Sequence, residues 1–256
     1  MLSVIVLTLN EEKNIAACLD SARSFADELI VFDSFSHDRT VEIARGLGAI
    51  TFQYQFENYP AQRNAAMEAA RGDWIFFLDA DERATPRVGA EVGTEIARAA
   101  IEPNPPTLFW IPRKNYIFGK WIQHTGWSPD YQPRVLRKGA ARFDPMRAVH
   151  ELVITSGPER FLQEPLVHFN YDSLPQFRAK QNIYTRFEAQ VLYEQGVRAK
   201  WRGYLGQPLR EFARRLISLE GYKDGAHGFA LSVLMAYYAF VRQQMLGEMW
   251  ANEQRR

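Results

Sequence analysis

The sequence predicts an α/β fold: a mixed sheet with helices on both faces, followed by a helical C-terminal extension. Three observations predict it. Up to about residue 102, short apolar runs alternate with helical patterns, as in a parallel sheet whose strands are buried on both faces. After Pro103 the rhythm changes to longer runs with glycine turns, which suits antiparallel strands. From Leu174 onward the pattern is helical.

The elements follow in order. "SVIVLTL" (3–9) reads as a buried strand, and Glu12–Ser24 as a helix with Ile15, Ala16 and Leu19 on one face. "ELIVFD" (28–33) is the second strand. "DRTVEIARGLG" is the second helix, with Asp38 as N-cap and Gly46 or Gly48 as stop. "AITFQYQ" (49–55) is a strand, and "PAQRNAAMEAARG" a helix opened by Pro60 and closed by Gly72. "DWIFFLD" is the fourth strand of this half. "PTLFWIPRKNYIFGKWI" and "YQPRVLRKGAARF" read as strands turning at Gly119 and Gly139, "GWSPD" (126–130) as a loop, and "EPLVHFNY" (164–171) as a further strand. Helices are expected at about 175–194, 208–220 and 225–246. The expected organisation is a domain over 1–170, divided into halves 1–102 and 103–170, with an extension over 171–256.

With 256 residues, 46% hydrophobic and 24% charged, the chain is a folded globular protein rather than a disordered or fibrous one. Its one cysteine, Cys18, excludes an internal disulfide and fits a reducing compartment. "MLSVIVLTLNEE" lacks a basic n-region and reads as a core strand rather than a signal peptide. Net charge is +1 but uneven: residues 1–169 carry 18 Lys+Arg against 22 Asp+Glu, and residues 170–256 carry 13 against 8. A basic C-terminal segment fits either an anionic partner, such as a membrane surface or a phosphorylated substrate, or a solvated helical face. The uncharged run Gly228–Val241 is shorter than the roughly 20 residues a spanning helix needs. A buried helix and a helix lying in a bilayer interface both fit it.

Charge concentrates at strand ends. "WIFFLDADERATP" (74–86) runs from five apolar residues into Asp79, Asp81 and Glu82. In an extended segment residues two apart share a side, so Asp79 and Asp81 are expected to converge while Ala80 faces away. Two carboxylates at the carboxyl edge of an α/β sheet suit a hard divalent cation shared with substrate phosphates. Glu82 is expected to pair with a local cation such as Arg83 or Arg87, or to cap the next helix. Thr8, Asn10 and Glu11 end the first strand and Asp33 the second. If strands one, two and four are neighbours, Thr8, Asp33 and Asp79 gather on one edge. Turn formation by Asn10 and Ser34, and capping by Asp33 or Asp38, also fit.

"SVIVLTLNEEKNI", "ELIVFDSFSHDRT", "AQRNAAMEAARGDWIFFLDADE" and the later "RAVHE" together resemble the family 2 glycosyltransferases of the GT-A fold. They are most similar to the bacterial lipopolysaccharide-core and polysaccharide enzymes of the WaaE/KdtX-like group. The resemblance covers residues 2–170 and continues weakly through "FRAKQNIYTRFEA" and "GYKDGAHGF". It implies inverting transfer of a sugar from a nucleoside-diphosphate sugar, with Mg²⁺ or Mn²⁺, to a hydroxyl of a glycolipid or lipid-linked glycan in cell-envelope synthesis. It also implies no nucleic-acid partner, and a cytoplasmic location peripheral to the inner face of the membrane. By the same resemblance Thr8, Leu9, Asn10, Glu11 and Asp33 bind the nucleoside, Arg63 lies near the base or diphosphate, Asp79 contacts ribose or metal, and Ala80 belongs to the nucleotide-sugar site. Asp81 holds the cation, and Glu151 is the base for the acceptor hydroxyl.

Further residues are candidates from their chemistry. His168 is a candidate for metal or diphosphate contact, and His150 for orienting Glu151. Arg134 and Arg137 are candidates for an acceptor phosphate, and Trp121 and Trp127 for stacking on a sugar ring or filling a core. "RKN" (113–115) is expected near the same region. A sugar-phosphate nucleotidyltransferase is an alternative, but "LTLNEEKNI" carries no glycine-rich phosphate loop. A haloacid-dehalogenase-type phosphatase would carry its D-x-D on the first strand. A non-catalytic nucleotide-sugar or glycan-binding protein on the same fold is the third alternative.

Overall fold

The structure, a computed structural model, describes residues 1–146 and 152–253. Two compact units divide the chain: Met1–Lys114 with Asp130–His168, and Asn115–Pro129 with Phe169–Arg256.

The first unit opens with β1 (Leu2–Thr8), α1 (Ile15–Ala22), β2 (Glu28–Asp33), α2 (Thr40–Gly46), β3 (Ile50–Gln53), α3 (Tyr59–Ala69) and β4 (Trp74–Asp79). A two-residue β5 (Glu82–Arg83) and α4 (Pro86–Ala99) follow. In chain order there follow β6 (Leu108–Ile117), β7 (Lys120–Trp121), β8 (Tyr131–Arg137), β9 (Ala141–Phe143), β10 (Val153–Thr155), β11 (Glu159–Phe161) and β12 (Leu166–Tyr171), of which β7 and the last residues of β6 and β12 count with the second unit. The main sheet has the order β3-β2-β1-β4-β8-β6-β12-β5. β1 to β4 are parallel, and β8 runs antiparallel to β4. The sheet is therefore mixed, and strands one, two and four are neighbours as expected.

The apolar runs are continuous because both faces of these strands are covered. Val4, Val6, Phe76 and Leu78 pack on one side with Ile15 and Leu19 of α1 and Val88 and Val92 of α4. Ile5, Ile30, Ile75 and Phe77 pack on the other with Ala66 and Met67 of α3. The sequence reading anticipates a helix after Glu82 but gives α4 no bounds. Its signal is local: Thr85 accepts from the Val88 N–H at 3.4 Å, with Pro86 in the first turn. Helix α1 starts three residues later than expected. The backbone N–H groups of Glu11 and Glu12 are bound by Thr40 and Asp38 side chains, at 2.7 and 3.1 Å, which holds the chain in a turn until Asn14.

The second unit contains α5 (Leu174–Glu194), α6 (Gly203–Ala213) continued by a π-helical turn (Arg214–Ser218), a 3₁₀ turn (Gly221–Asp224) and α7 (Ala226–Glu253). Ile117, Ile122, Tyr171, Phe177, Leu231 and Tyr238 form its core. The sequence reading starts the middle helix at residue 208, a proline, but the chain is already helical from Gly203 and Pro208 lies inside. Segment 115–129 is tied to the helices through buried Asp224. Its carboxylate accepts from the N–H groups of Gln123 and His124 at 3.2 and 2.9 Å and from Thr125 Oγ1 at 3.2 Å.

Candidate active site

The strand order runs outward from β1 in both directions. The carboxyl edge at such a reversal is where open α/β sheets bind ligands. Two carboxylates stand there in the first unit, in register with β1: Thr8 lies opposite Asp33, and Leu7 opposite Asp79.

Asp33 is fully buried. It accepts from Thr8 Oγ1 at 2.9 Å, from the Ser36 N–H at 2.8 Å and from Ser36 Oγ. Ser36 in turn accepts from the Asn10 N–H at 2.8 Å, and Asn10 Oδ1 accepts from the His37 N–H at 2.9 Å. The loops after β1 and β2 are thus joined into one polar assembly. Asn10 and Phe35 both take positive φ, 58° and 61°. Asn tolerates that region, but an aromatic residue there is uncommon and strained. Beside these loops is a cleft of about 320 Å³ lined by Thr8, Leu9, Glu11, Phe56, Tyr59 and Gln62. Phe56 and Tyr59 meet edge to face at 5.1 Å and are both exposed.

Asp79 lies among arginines. Its Oδ1 is 3.5 Å from Arg63 Nη2, and its Oδ2 accepts from Arg134 Nη2. The Arg134 nitrogen also donates to Glu82 Oε1, from which Arg113 Nη1 is 3.5 Å away. Arg113 is held in turn by Asp130 at 2.7 Å, and Arg63 stacks over Phe77 and Phe143 at 5.0 and 5.3 Å. Burial by itself would raise the Asp79 carboxyl, but the Arg134 and Arg63 charges override it and hold the group well below the usual carboxylate range. For Glu82 burial wins, and its carboxyl is raised despite Arg134. Arg134, nearly buried, is held more firmly protonated by Asp79 and Glu82 against the effect of burial.

Glu82 is the largest departure from expectation. It is fully buried, and it accepts the Asp79 N–H at 3.1 Å as well as the arginines. Arg83 instead donates to the main-chain oxygens of Ala80 and Glu82, at 2.8 and 2.7 Å. The expected convergence of Asp79 and Asp81 also changes. Ala80 and Asp81 form a turn, so strand alternation does not govern them, and buried Ala80 is one side of that turn. Asp81 faces His168, with Oδ2 3.5 Å from Nε2. β5 pairs with β12, Glu82 opposite His168, and this pairing brings Asp81 beside the imidazole.

The donor set at this turn fits a divalent cation. A carboxylate and an imidazole nitrogen stand side by side, and Mg²⁺ or Mn²⁺ takes few protein ligands and fills the rest with water and phosphate oxygen. Among the described residues no three His, Cys, Asp or Glu side chains gather into a protein-only metal cage. An ion here would draw its remaining ligands from a substrate.

A cleft of about 390 Å³ opens over the cluster, lined by Arg63, Asp79, Trp110, Arg113, Tyr131 and Arg134 among others. Arg137 is not part of it. Residues three apart on a strand face opposite sides, and Arg137 pairs with Trp74 at the start of β4, the other edge of the sheet. Trp127 packs in the second unit, edge to face with Tyr171 at 5.9 Å. Asn115 donates to the Trp127 main-chain oxygen at 2.8 Å, so of "RKN" it is Arg113 that joins the cluster. His150 and Glu151 lie outside the described residues. Sequence reasoning missed the roles of Glu82 and Asp130 and the aromatic pair Phe56–Tyr59.

Residues 3–141 match the profile of the family described as Glycosyl transferase family 2. The chain is similar to the lipopolysaccharide core biosynthesis glycosyltransferase LpsC of Rhizobium meliloti, 27% identical over 94% of this chain and 89% of that protein. It is similar also to an uncharacterized glycosyltransferase of Rickettsia bellii, 26% identical over 97% of this chain and 86% of that one. A crystal structure of glucosyl-3-phosphoglycerate synthase from Mycobacterium tuberculosis, in complex with Mn²⁺, UDP and glucosyl-3-phosphoglycerate, matches 46% of this chain and 44% of that chain. Its identity is 25% and its TM-score 0.36.

Proposed function

The chain belongs to glycosyl transferase family 2, an inverting family that uses nucleotide sugars, and we propose that it transfers a sugar from a UDP-sugar to a hydroxyl of a glycolipid or lipid-linked glycan in cell-envelope polysaccharide or lipopolysaccharide synthesis. The observation that carries this reading is the carboxyl edge of β1, β2 and β4. There one cleft is lined by Thr8 and Glu11, beside the Asp33 that Thr8 binds, and a second, arginine-rich cleft is lined by Asp79. The relative from Rhizobium supports the lipopolysaccharide part.

In this reading the Thr8–Glu11 loop, with Asp33 fixing it, takes the nucleoside, and Phe56 and Tyr59 offer ring surface to the base. Arg63 meets the diphosphate, with Asp79 positioning it. Asp81 and His168 would hold Mg²⁺ or Mn²⁺, which when bound would supply positive charge to the diphosphate leaving group. Arg134 and Arg113 line the side open to sugar and acceptor. Glu151 takes the proton of the acceptor hydroxyl as it attacks the anomeric carbon opposite the leaving group. A lipid-borne acceptor places the protein at the inner face of the cytoplasmic membrane.

Glu151→Gln tests the central chemical role. Transfer is expected to fall by about 10²- to 10⁴-fold, with the fold and donor affinity retained. Near wild-type turnover with donor affinity intact would remove Glu151 from that role.

A further inference from the structure

Helix α6 buries none of its residues fully, yet it is not a polar helix. Tyr204 and Phe212 turn to α7, meeting Phe240 at 6.0 Å and Phe229 at 5.8 Å. Gly203 lets the helix approach Gln243, where an added Cβ would lie 2.9 Å from the side-chain oxygen. Away from α7, Trp201, Leu205, Leu209 and Ile217 are 75%, 70%, 68% and 66% exposed. The spacing of four sets Leu205 and Leu209 along one side of the helix, with Trp201 just before it and Ile217 in the π-helical turn after it.

The same stretch is strongly cationic. Residues 197–217 hold six Lys or Arg and one acid, Glu211. Glu211 is already bound by Arg214 and Arg215, at 2.8 and 2.6 Å. Arg202, Arg210 and Arg214 are exposed beside the apolar tips.

We propose that α6 and its π-helical continuation form a surface that seats the protein on an anionic lipid bilayer. This deepens the reading of a lipid-borne acceptor and rests on it for its purpose. A bilayer interface takes both halves of the surface: Trp, Leu and Ile enter the boundary of headgroups and acyl chains, and the basic side chains meet anionic headgroups. A second copy of the chain fits less well, because a two-fold contact sets the same cationic patch against itself. Helix α6 is too short to span, so it lies on the surface. Helix α7, whose apolar run suggested this role in the sequence, commits Leu231 and Tyr238 to the core of the unit.

The test is co-sedimentation of the full chain with vesicles, without donor or acceptor. Vesicles of phosphatidylcholine alone are compared with phosphatidylcholine plus phosphatidylglycerol, at low and high salt. Binding is expected to the anionic vesicles and to weaken with salt. L205Q/L209Q and R202Q/R210Q are each expected to weaken it roughly tenfold or more. Ile101→Ser, at an exposed apolar residue of the first unit, should leave it unchanged. If L205Q/L209Q lowers thermal stability, R202Q/R210Q decides. Equal binding to neutral vesicles, no binding to anionic ones, or unaffected variants would overturn the proposal. A dimer, seen by light scattering and dissociated by L205Q/L209Q without any vesicle binding, would reassign the surface to a second copy. Donor-induced thermal shifts on the same proteins separate the two readings: vesicle binding without a donor shift sinks the sugar-transfer reading and leaves this one standing.

Discussion

Asp33 and Asp79 end neighbouring parallel strands on either side of β1, yet their surroundings are opposites. Asp33 is held by hydroxyl and main-chain donors from Thr8 and Ser36. Asp79 is held by guanidinium groups that also serve Glu82. Neutral donors fix the geometry of a loop around a single carboxylate. The second set is a balance of buried charges, in which removing one member strands the others. On the proposed reading the first carboxylate shapes the nucleoside loop. The second tunes arginines that a diphosphate competes for.

The contrast can be broken most severely at Arg134. Arg134→Met leaves Asp79 and Glu82 facing each other without their shared cation, and should cost about 3–5 kcal/mol in urea unfolding. A loss no larger than that of a surface arginine would mean that the cluster is solvated. Asp33→Asn keeps one acceptor but turns an amide toward donors, and should cost about 1–3 kcal/mol by the same measurement. Thr8→Val removes one of the donors to Asp33 and should cost about 1 kcal/mol. If Thr8→Val proves as damaging as Arg134→Met, the distinction drawn between the two carboxylates fails.

Acid sharpens the comparison with the smallest effect. Asp79 is held below its ordinary value, so its contribution is full above about pH 4 and is lost as the pH falls further. Glu82, raised by burial, acts in the opposite sense: acidification through its window favours the folded state. Wild-type stability should therefore hold or rise slightly just above the ordinary carboxylate range and fall below it. Glu82→Gln should abolish the rise and leave the fall. Unfolding curves measured across acid pH distinguish these shapes.

The same contrast explains what the sequence revealed. β1, β2 and β4 were legible because burial on both faces writes a continuous apolar run, and Asp33 and Asp79 were legible as charges ending such runs. The partners of Asp33 lie near it or one strand away. Arg63 of α3 lies only 16 residues from Asp79, but Arg134 lies 55 and 52 residues from Asp79 and Glu82, and Arg113 lies 31 from Glu82, brought back by β8 and β6. No local periodicity records that return. The turn at Ala80–Asp81 defeated an argument from extended alternation, and spacing alone grouped Arg134 with Arg137 although an antiparallel strand separates them to opposite edges.

The most direct test of donor binding is thermal unfolding with UDP-, GDP- and CMP-sugars, with and without Mn²⁺, for wild type and Asp81→Asn. A ligand that binds only the folded state raises its apparent stability. The account predicts an upward shift with a UDP-sugar that requires Mn²⁺ and is lost in Asp81→Asn. No shift with any nucleotide sugar, or an equal shift in Asp81→Asn, would contradict it.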